Sequence, residues 1–217
     1  MGKSSYHGMS SSYASEKKKE GHRREDVRKV QLGEGAIVIT GNLKPDIIRP
    51  DGLLESVKGG NRTQWALYSI NKIKSSNLSD QGKFAFHQWV NFLPENKNEY
   101  LNNKIKFSKN PNVKLLYQVY KDEPMTLIKY FCGYDEIDYY TLMDKRDGSQ
   151  LNLEKELFFN RIESSITRTY TTEGGKFSIA GGPKDVLLFE LELRKGKNSH
   201  RCILFVSTLK HIIDIFK

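Results

Sequence analysis

The sequence predicts an α+β fold: a twisted antiparallel sheet packed against a few helices, preceded by a disordered basic arm. Three observations carry this. Two long β-type runs near the C-terminus, DVLLFELELR and RCILFVSTL, are joined by the turn-rich KGKNSH. The segment NLEKELFFNRIESSI places Leu153, Leu157, Phe158, Ile162 and Ile166 at helical spacing. Composition changes abruptly at Asp26–Val27, from a Ser-, Gly-, Lys- and Glu-rich stretch without hydrophobic period to a body where apolar runs begin.

In chain order, Met1 to Asp26 reads as the disordered arm, and residues 27–217 as a single folded domain. The arm holds six basic residues, Lys3, Lys17, Lys18, Lys19, Arg23 and Arg24, against four acids, Glu16, Glu20, Glu25 and Asp26. Its balance is +2, so most of the net charge of +9 lies on the body. Val30, Leu32, Ala36 and Val38 alternate, and Ala36 to Thr40 reads as a strand covered on both faces until Gly41-Asn42 stops it. Pro50-Asp51-Gly52 marks a turn, Leu53 to Val57 a short helix, and Gly59-Gly60 its end. From Arg62, RTQWALYSINKIKSS has mixed spacing and is read as a helix, a strand being also defensible.

Lys83 to Phe92 alternates and reads as a strand. Pro94 to Pro111, rich in Asn and Lys, reads as a long exposed loop. Val113 to Tyr120 and Met125 to Cys132 read as two β-type runs at hairpin-like spacing around Lys121-Asp122-Glu123-Pro124. Ile137 to Met143 is a strand closed by the turn Arg146-Asp147-Gly148. After the helix at 152–166, Thr169 to Thr172 is β-type and Gly174-Gly175 and Gly181-Gly182 frame a loop. The tail His211 to Lys217 reads as a short helix with Ile212, Ile213 and Phe216 on one side.

A chain of 217 residues buries a core without disulfides or metals, and Cys132 and Cys202 make no disulfide framework. A reducing compartment is expected, with the sequons at Asn61 and Asn77 unmodified. No segment approaches the roughly 18 apolar residues of a membrane helix, and Met1 to Ser15 shows no signal-peptide core. Thirty-five basic against 26 acidic residues, with a pI near 9.4, suits a phosphate polymer or an anionic membrane as partner.

The search for chemistry gives a negative expectation: no enzyme, no metal and no cofactor. His7, His22, His87, His200 and His211 lack zinc-ligand spacing, even with Cys202. Asp135-Glu136-Ile137-Asp138 reads as an acidic turn before a strand. No Gly-rich phosphate loop is present; Gly2-Lys3-Ser4 has no strand before it. Tyr6 occupies the position where N-myristoylation needs Ser or Thr. The tyrosines at 117, 120, 130, 134, 139 and 140 read as packing residues, and no RNP-type signature accompanies them.

The stretch EGAIVITGNLKPDIIRPDGLLESV, Glu34 to Val57, resembles the start of the folded region of rhabdovirus matrix proteins. In that family a basic Lys-rich arm leads into a strand, a turn and a short helix. Here Gly35, Ile37, Val38, Ile39, Thr40 and Gly41 match the strand, and Leu53, Leu54 and Val57 the helix; Gly59-Gly60-Asn61-Arg62 and the C-terminal hairpin also fit. The resemblance covers about a quarter of the chain, and its motifs are loose. The P-P-x-Y late motif of many animal members is absent, and Tyr139-Tyr140-Thr141-Leu142 has the Y-x-x-L form within a strand.

The resemblance implies a viral matrix protein that links the viral nucleocapsid (nucleoprotein–RNA) to the inner face of an anionic membrane and self-associates during assembly and budding. It implies residence in the virion, the host cytoplasm and at the inner face of host membranes, or the nucleus. The alternative is a nucleic-acid-binding capsid or movement-type viral protein, although the helix at 152–166 disfavours a jelly roll. For either, Lys17, Lys18, Lys19, Arg23 and Arg24 are the candidate membrane- or nucleocapsid-binding residues. Lys97, Lys104, Lys106 and Lys109 are candidates for a self-association or ligand loop.

Overall fold

The computed structural model describes residues 11–40, 44–91, 109–172, 176–195 and 201–217. The fold is α+β, with two open five-stranded sheets and, among the described residues, seven helices. The predicted C-terminal hairpin is present as β9 (Val186–Lys195) and β10 (Arg201–Thr208). It forms the middle of the larger sheet, in order β4-β10-β9-β8-β7, with β4 (Arg62–Ser69), β7 (Ile166–Thr171) and β8 (Phe177–Gly181). Every pairing in this sheet is antiparallel.

The segment from Arg62 is strand β4 where a helix was read, and a bulge explains the misleading pattern. Val206 pairs with Gln64 and Phe205 with Ala66, leaving Trp65 as the extra residue. Trp65 and Ala66 are both buried despite being adjacent, which breaks strict alternation. Trp65 Nε1 donates to Ser207 Oγ at 2.8 Å, so its one polar atom is satisfied inside the core.

The smaller sheet runs β1 (Ile37–Val38), β2 (Ile47–Ile48), β3 (Leu54–Gly59), β5 (Tyr139–Met143), β6 (Gln150–Glu154). The predicted helix at 53–57 is therefore strand β3. Glu55, Ser56 and Val57 are buried in succession, as a central strand covered on both faces requires. The predicted strand at 36–40 shrinks to two residues at an edge, and Ile37 is 55% exposed, so only one face is covered. After β3 the chain supplies β4 to the other sheet, builds four helices among the described residues, and returns as β5 parallel to β3.

Those four helices are α2 (Ile70–Lys74), α3 (Asp80–Asn91), α4 (Pro111–Asp122) and α5 (Pro124–Cys132). The β readings of 83–92, 113–120 and 125–132 are thus corrected to helix. Val113, Leu116, Tyr117 and Tyr120, the buried residues of α4, recur at i, i+3, i+4 and i+7. Asn110 caps α4, its side chain accepting from Asn112 N at 2.8 Å, and Pro111 occupies the first turn. Pro124, read as a hairpin turn residue, instead opens α5, and Gly133 closes it at φ 85°.

The predicted helix after β6 is α6 (Lys155–Ser165), and the tail is α7 (Leu209–Phe216). Phe158, Phe159 and Ile162 of α6 meet Leu209, Ile212 and Ile213 of α7 in one large core with the inner face of the larger sheet. Rings carry much of that core: Tyr140 stacks on Phe158 at 4.3 Å, and Phe205 stacks on both Phe131 and Phe189 at 5.0 and 5.3 Å.

A single lysine ties the two halves of this core together. Lys44 Nζ donates to Phe131 O at the end of α5, and to Trp65 O, the bulge carbonyl, at 3.3 Å. It also lies 5.0 Å from the Tyr68 ring centroid. Burial pushes the Lys44 ammonium down to about 8. The unfolded chain therefore binds this proton more tightly than the folded one. The penalty is full below pH 8 and is relieved as pH rises toward the unfolded value near 10.5. The parent should gain about 3 kcal/mol relative to Lys44→Met between pH 7.5 and 10.5, read from urea midpoints under reducing conditions. A pH-independent difference would mean that the ammonium is not desolvated.

The largest departure is at the N-terminus. From Ser11 the expected disordered arm is helical: α1 spans Ser11–Leu32, crossing the Asp26–Val27 composition break without interruption. Residues 1–10 lie outside the described residues.

Candidate functional site

α1 has no apolar face, so intrinsic amphipathicity does not hold it to the body. Polar contacts do, along a stripe of every fourth residue: Glu20, Arg24, Arg28 and Leu32. Arg28 Nε donates to Glu55 Oε1 at 2.6 Å, and Arg28 Nη2 to Oε2 at 3.3 Å. Glu55, with 0% exposure, also accepts from Arg49 Nη1 at 3.1 Å and Thr141 Oγ1 at 2.5 Å. Glu20 pairs with Lys145 at 2.5 Å, with Lys17 at 2.8 Å, and with Arg24. Hydrogen bonds from Lys145 and Lys17 pull its carboxyl down to about 2.

Arg24 needs the glycine beneath it. A Cβ on Gly59 would fall 2.6 Å from both Arg24 Cδ and Nε, so a side chain there would displace the Arg24 side chain from its present seat. Leu32 completes the contact, packing with Val38 and Met143 against a small core of Ala36, Ile47 and Val57.

This docking sorts the five predicted basic residues. Lys17 and Arg24 are spent within the molecule, on Glu20 and, for Arg24, on the close approach to Gly59. Lys18, Lys19 and Arg23 are exposed, and no ion pair holds them among the described residues. The fixed face makes their direction definite: at 100° per residue they point away from the 24/28 stripe. Sequence reasoning missed three neighbours on the same outer side. Lys29 is exposed, and Val27 and Val30 are 46% and 81% exposed. Lys19, Arg23, Val27 and Val30 follow i, i+4, i+8, i+11, a single outer stripe that is cationic at one end and apolar at the other. That spacing is visible in the sequence once the segment is taken as helix.

The second predicted set falls almost wholly outside the described residues. Lys97, Lys104 and Lys106 lie outside the described residues, and Lys109 is exposed just before α4. The turns at Gly174-Gly175 and at 196–200, with His200, also lie outside them.

Several of the residues weighed for chemistry make structural contacts. Asp138 Oδ2 accepts from Leu54 N at 2.9 Å, and Asp135 accepts from Asn77 at 3.3 Å, so the acidic turn is split between two tasks. His211 Nδ1 contacts Leu187 O at 2.8 Å. Cys132 is buried, which pushes its thiol up and away from thiolate chemistry. Tyr140 and Leu142 of the Y-x-x-L sequence are fully buried in β5. Among the described residues no group of three or more His, Cys, Asp or Glu is placed to hold a metal ion, and no helix is long and apolar enough to cross a membrane.

No protein-family model matches the chain, and no curated protein is significantly similar to it. The site must therefore be read from its own chemistry. A helix of 22 residues, about 33 Å long, presents cations and two valines outward while its other face is held to the body from Glu20 to Leu32. Such a surface suits an extended anionic plane better than a small molecule.

Proposed function

We propose that this protein is a viral matrix or assembly protein, linking a ribonucleoprotein to the inner face of a membrane envelope and self-associating there. The carrying observation is the outward side of α1: among the described residues Lys19 and Arg23 are unpaired in line with exposed Val27 and Val30, and Lys18 and Lys29 are unpaired on a neighbouring flank of the helix. Basic residues near an anionic membrane contribute about 1 kcal/mol each, and neighbouring apolar side chains enter the interfacial layer. The body's net positive charge adds a longer-range attraction. The proposed partners are thus an anionic membrane surface, the viral nucleocapsid and further copies of the chain, in the virion and at the inner face of host membranes.

Flotation of the full chain with vesicles tests this reading. Binding to phosphatidylserine-containing vesicles, none to phosphatidylcholine alone, and release by added salt are expected. No flotation with anionic vesicles at low salt, together with tight retention of RNA on filters, would instead favour the nucleic-acid-binding class.

A further inference from the structure

A second surface, remote in sequence from α1, combines an open sheet edge with an acidic groove. Among the described residues β7 is the edge strand of the larger sheet and pairs with β8 alone. Thr172 N donates to Lys176 O at 2.9 Å, fixing the alternation of the ladder. Tyr170–Ser178 and Arg168–Ala180 are then the hydrogen-bonded pairs, and the N–H and C=O of Thr169 and Thr171 point outward. β7 contains no proline, and its only charged residue is neutralised at home. Arg168 pairs with Asp185 at 2.7 Å and lies over the Tyr170 ring at 4.9 Å. The edge therefore carries little of the usual protection against strand addition, apart from the bulge at its start.

Ile166, the first residue of β7, also lines a groove of about 410 Å³ at the junction of α4 and α5. Its apolar walls include Pro124, Met125 and Ile166, and its acids are Asp122, Glu123 and Glu163. Asp122 accepts from Gln118 at 3.3 Å and Glu123 from Thr126 at 3.5 Å, but among the described residues none of the three has a cationic partner. In a chain of net charge +9 such an uncompensated cluster is out of character.

We propose that β7 and this groove receive an extended segment of a partner protein in which Lys or Arg alternates with apolar residues. The segment adds as a strand beside β7, bonding to Thr169 and Thr171, and its cations, which alternation places on one face of that strand, meet the three carboxylates. Charge selects the occupant. The β7 strand of a second copy offers no free cation, because Arg168 is held by Asp185. The α1 helix of a second copy is cationic but helical, and cannot satisfy a strand edge. This inference does not rest on the membrane reading.

The test uses the full chain and a short fluorescent peptide of alternating Lys and Val, with a Glu/Val peptide as control, followed by anisotropy. The Lys/Val peptide should bind at least about tenfold tighter than the control. Thr169→Pro removes only an outward N–H, a substitution edge strands tolerate, and should weaken binding about tenfold with little change in melting temperature. D122N/E123Q/E163Q should weaken it similarly and flatten its salt dependence. If Thr169→Pro fails to fold, N-methylating alternate peptide amides replaces it, with the same loss expected. Equal binding of the two peptides, or indifference to both edge-blocking measures, would overturn the proposal. So would a dimer of the chain that Thr169→Pro abolishes, because the edge would then belong to a second copy.

Discussion

Replacing Glu55 by glutamine is expected to cost about 3–5 kcal/mol and lower the melting temperature by about 10 °C. The carboxylate is fully buried and is the common acceptor for Arg28, Arg49 and Thr141. Neutralising it leaves two guanidinium groups facing each other beside a sheet, one of them 7% exposed. Arg28→Met should be milder, because Arg49 and Thr141 continue to hold the carboxylate. Its main effect should fall on α1, which loses its anchor and becomes open to trypsin at Arg23 and Lys29. The pair of variants separates two quantities: global stability, read by melting, and helix docking, read by cleavage rate. A Glu55→Gln protein that melts within 2 °C of the parent would mean that the buried pair contributes roughly nothing net.

The docking of α1 also shows where the sequence was silent. A stretch rich in Lys, Glu and Gly has the composition of disorder, and nothing local contradicts that reading. What orders it is distant: a glycine at 59 that leaves room for Arg24, and a carboxylate at 55 that needs Arg28. Neither is visible from the arm itself. The β9–β10 hairpin was legible because its two long β-type runs flank a turn-rich stretch, and α6 was legible from Phe158 and Ile162, although Leu157 of the same predicted face is 55% exposed and Leu153 and Ile166 fall in the flanking strands. α3 and α4 were misread for the opposite reason. Their aromatic residues, such as Phe86, Trp89, Tyr117 and Tyr120, favour strands by propensity, yet here they fill the core at helical spacing. At the candidate site the sequence supplied the basic run but could not sort it, because Lys17 and Arg24 differ from Lys18, Lys19 and Arg23 only in the side of the helix they occupy.

That sorting leads to the largest functional effect expected. K18Q/K19Q/R23Q should reduce partitioning onto phosphatidylserine-containing vesicles by about a hundredfold, since three surface cations contribute about 1 kcal/mol each. Asp26, exposed on the same outer side, makes this an upper value, and the residual binding, carried by the positive charge left on the body, should fall less steeply with salt than the parent's. Lys17→Gln is the matched control, with one charge removed from the same run but from a side chain already paired with Glu20 at 2.8 Å. It should change partitioning less than about twofold if paired surface charges contribute little at a distance. V27S/V30S separates insertion from attraction. Removing two exposed valines should weaken binding by less apolar transfer energy while leaving its salt slope unchanged. Equal losses for Lys17→Gln and for each of Lys18→Gln, Lys19→Gln and Arg23→Gln would mean that the run acts as an unstructured charge cloud. In that case the helix face would not be the contact surface, and the membrane reading would have to rest on the body's charge alone.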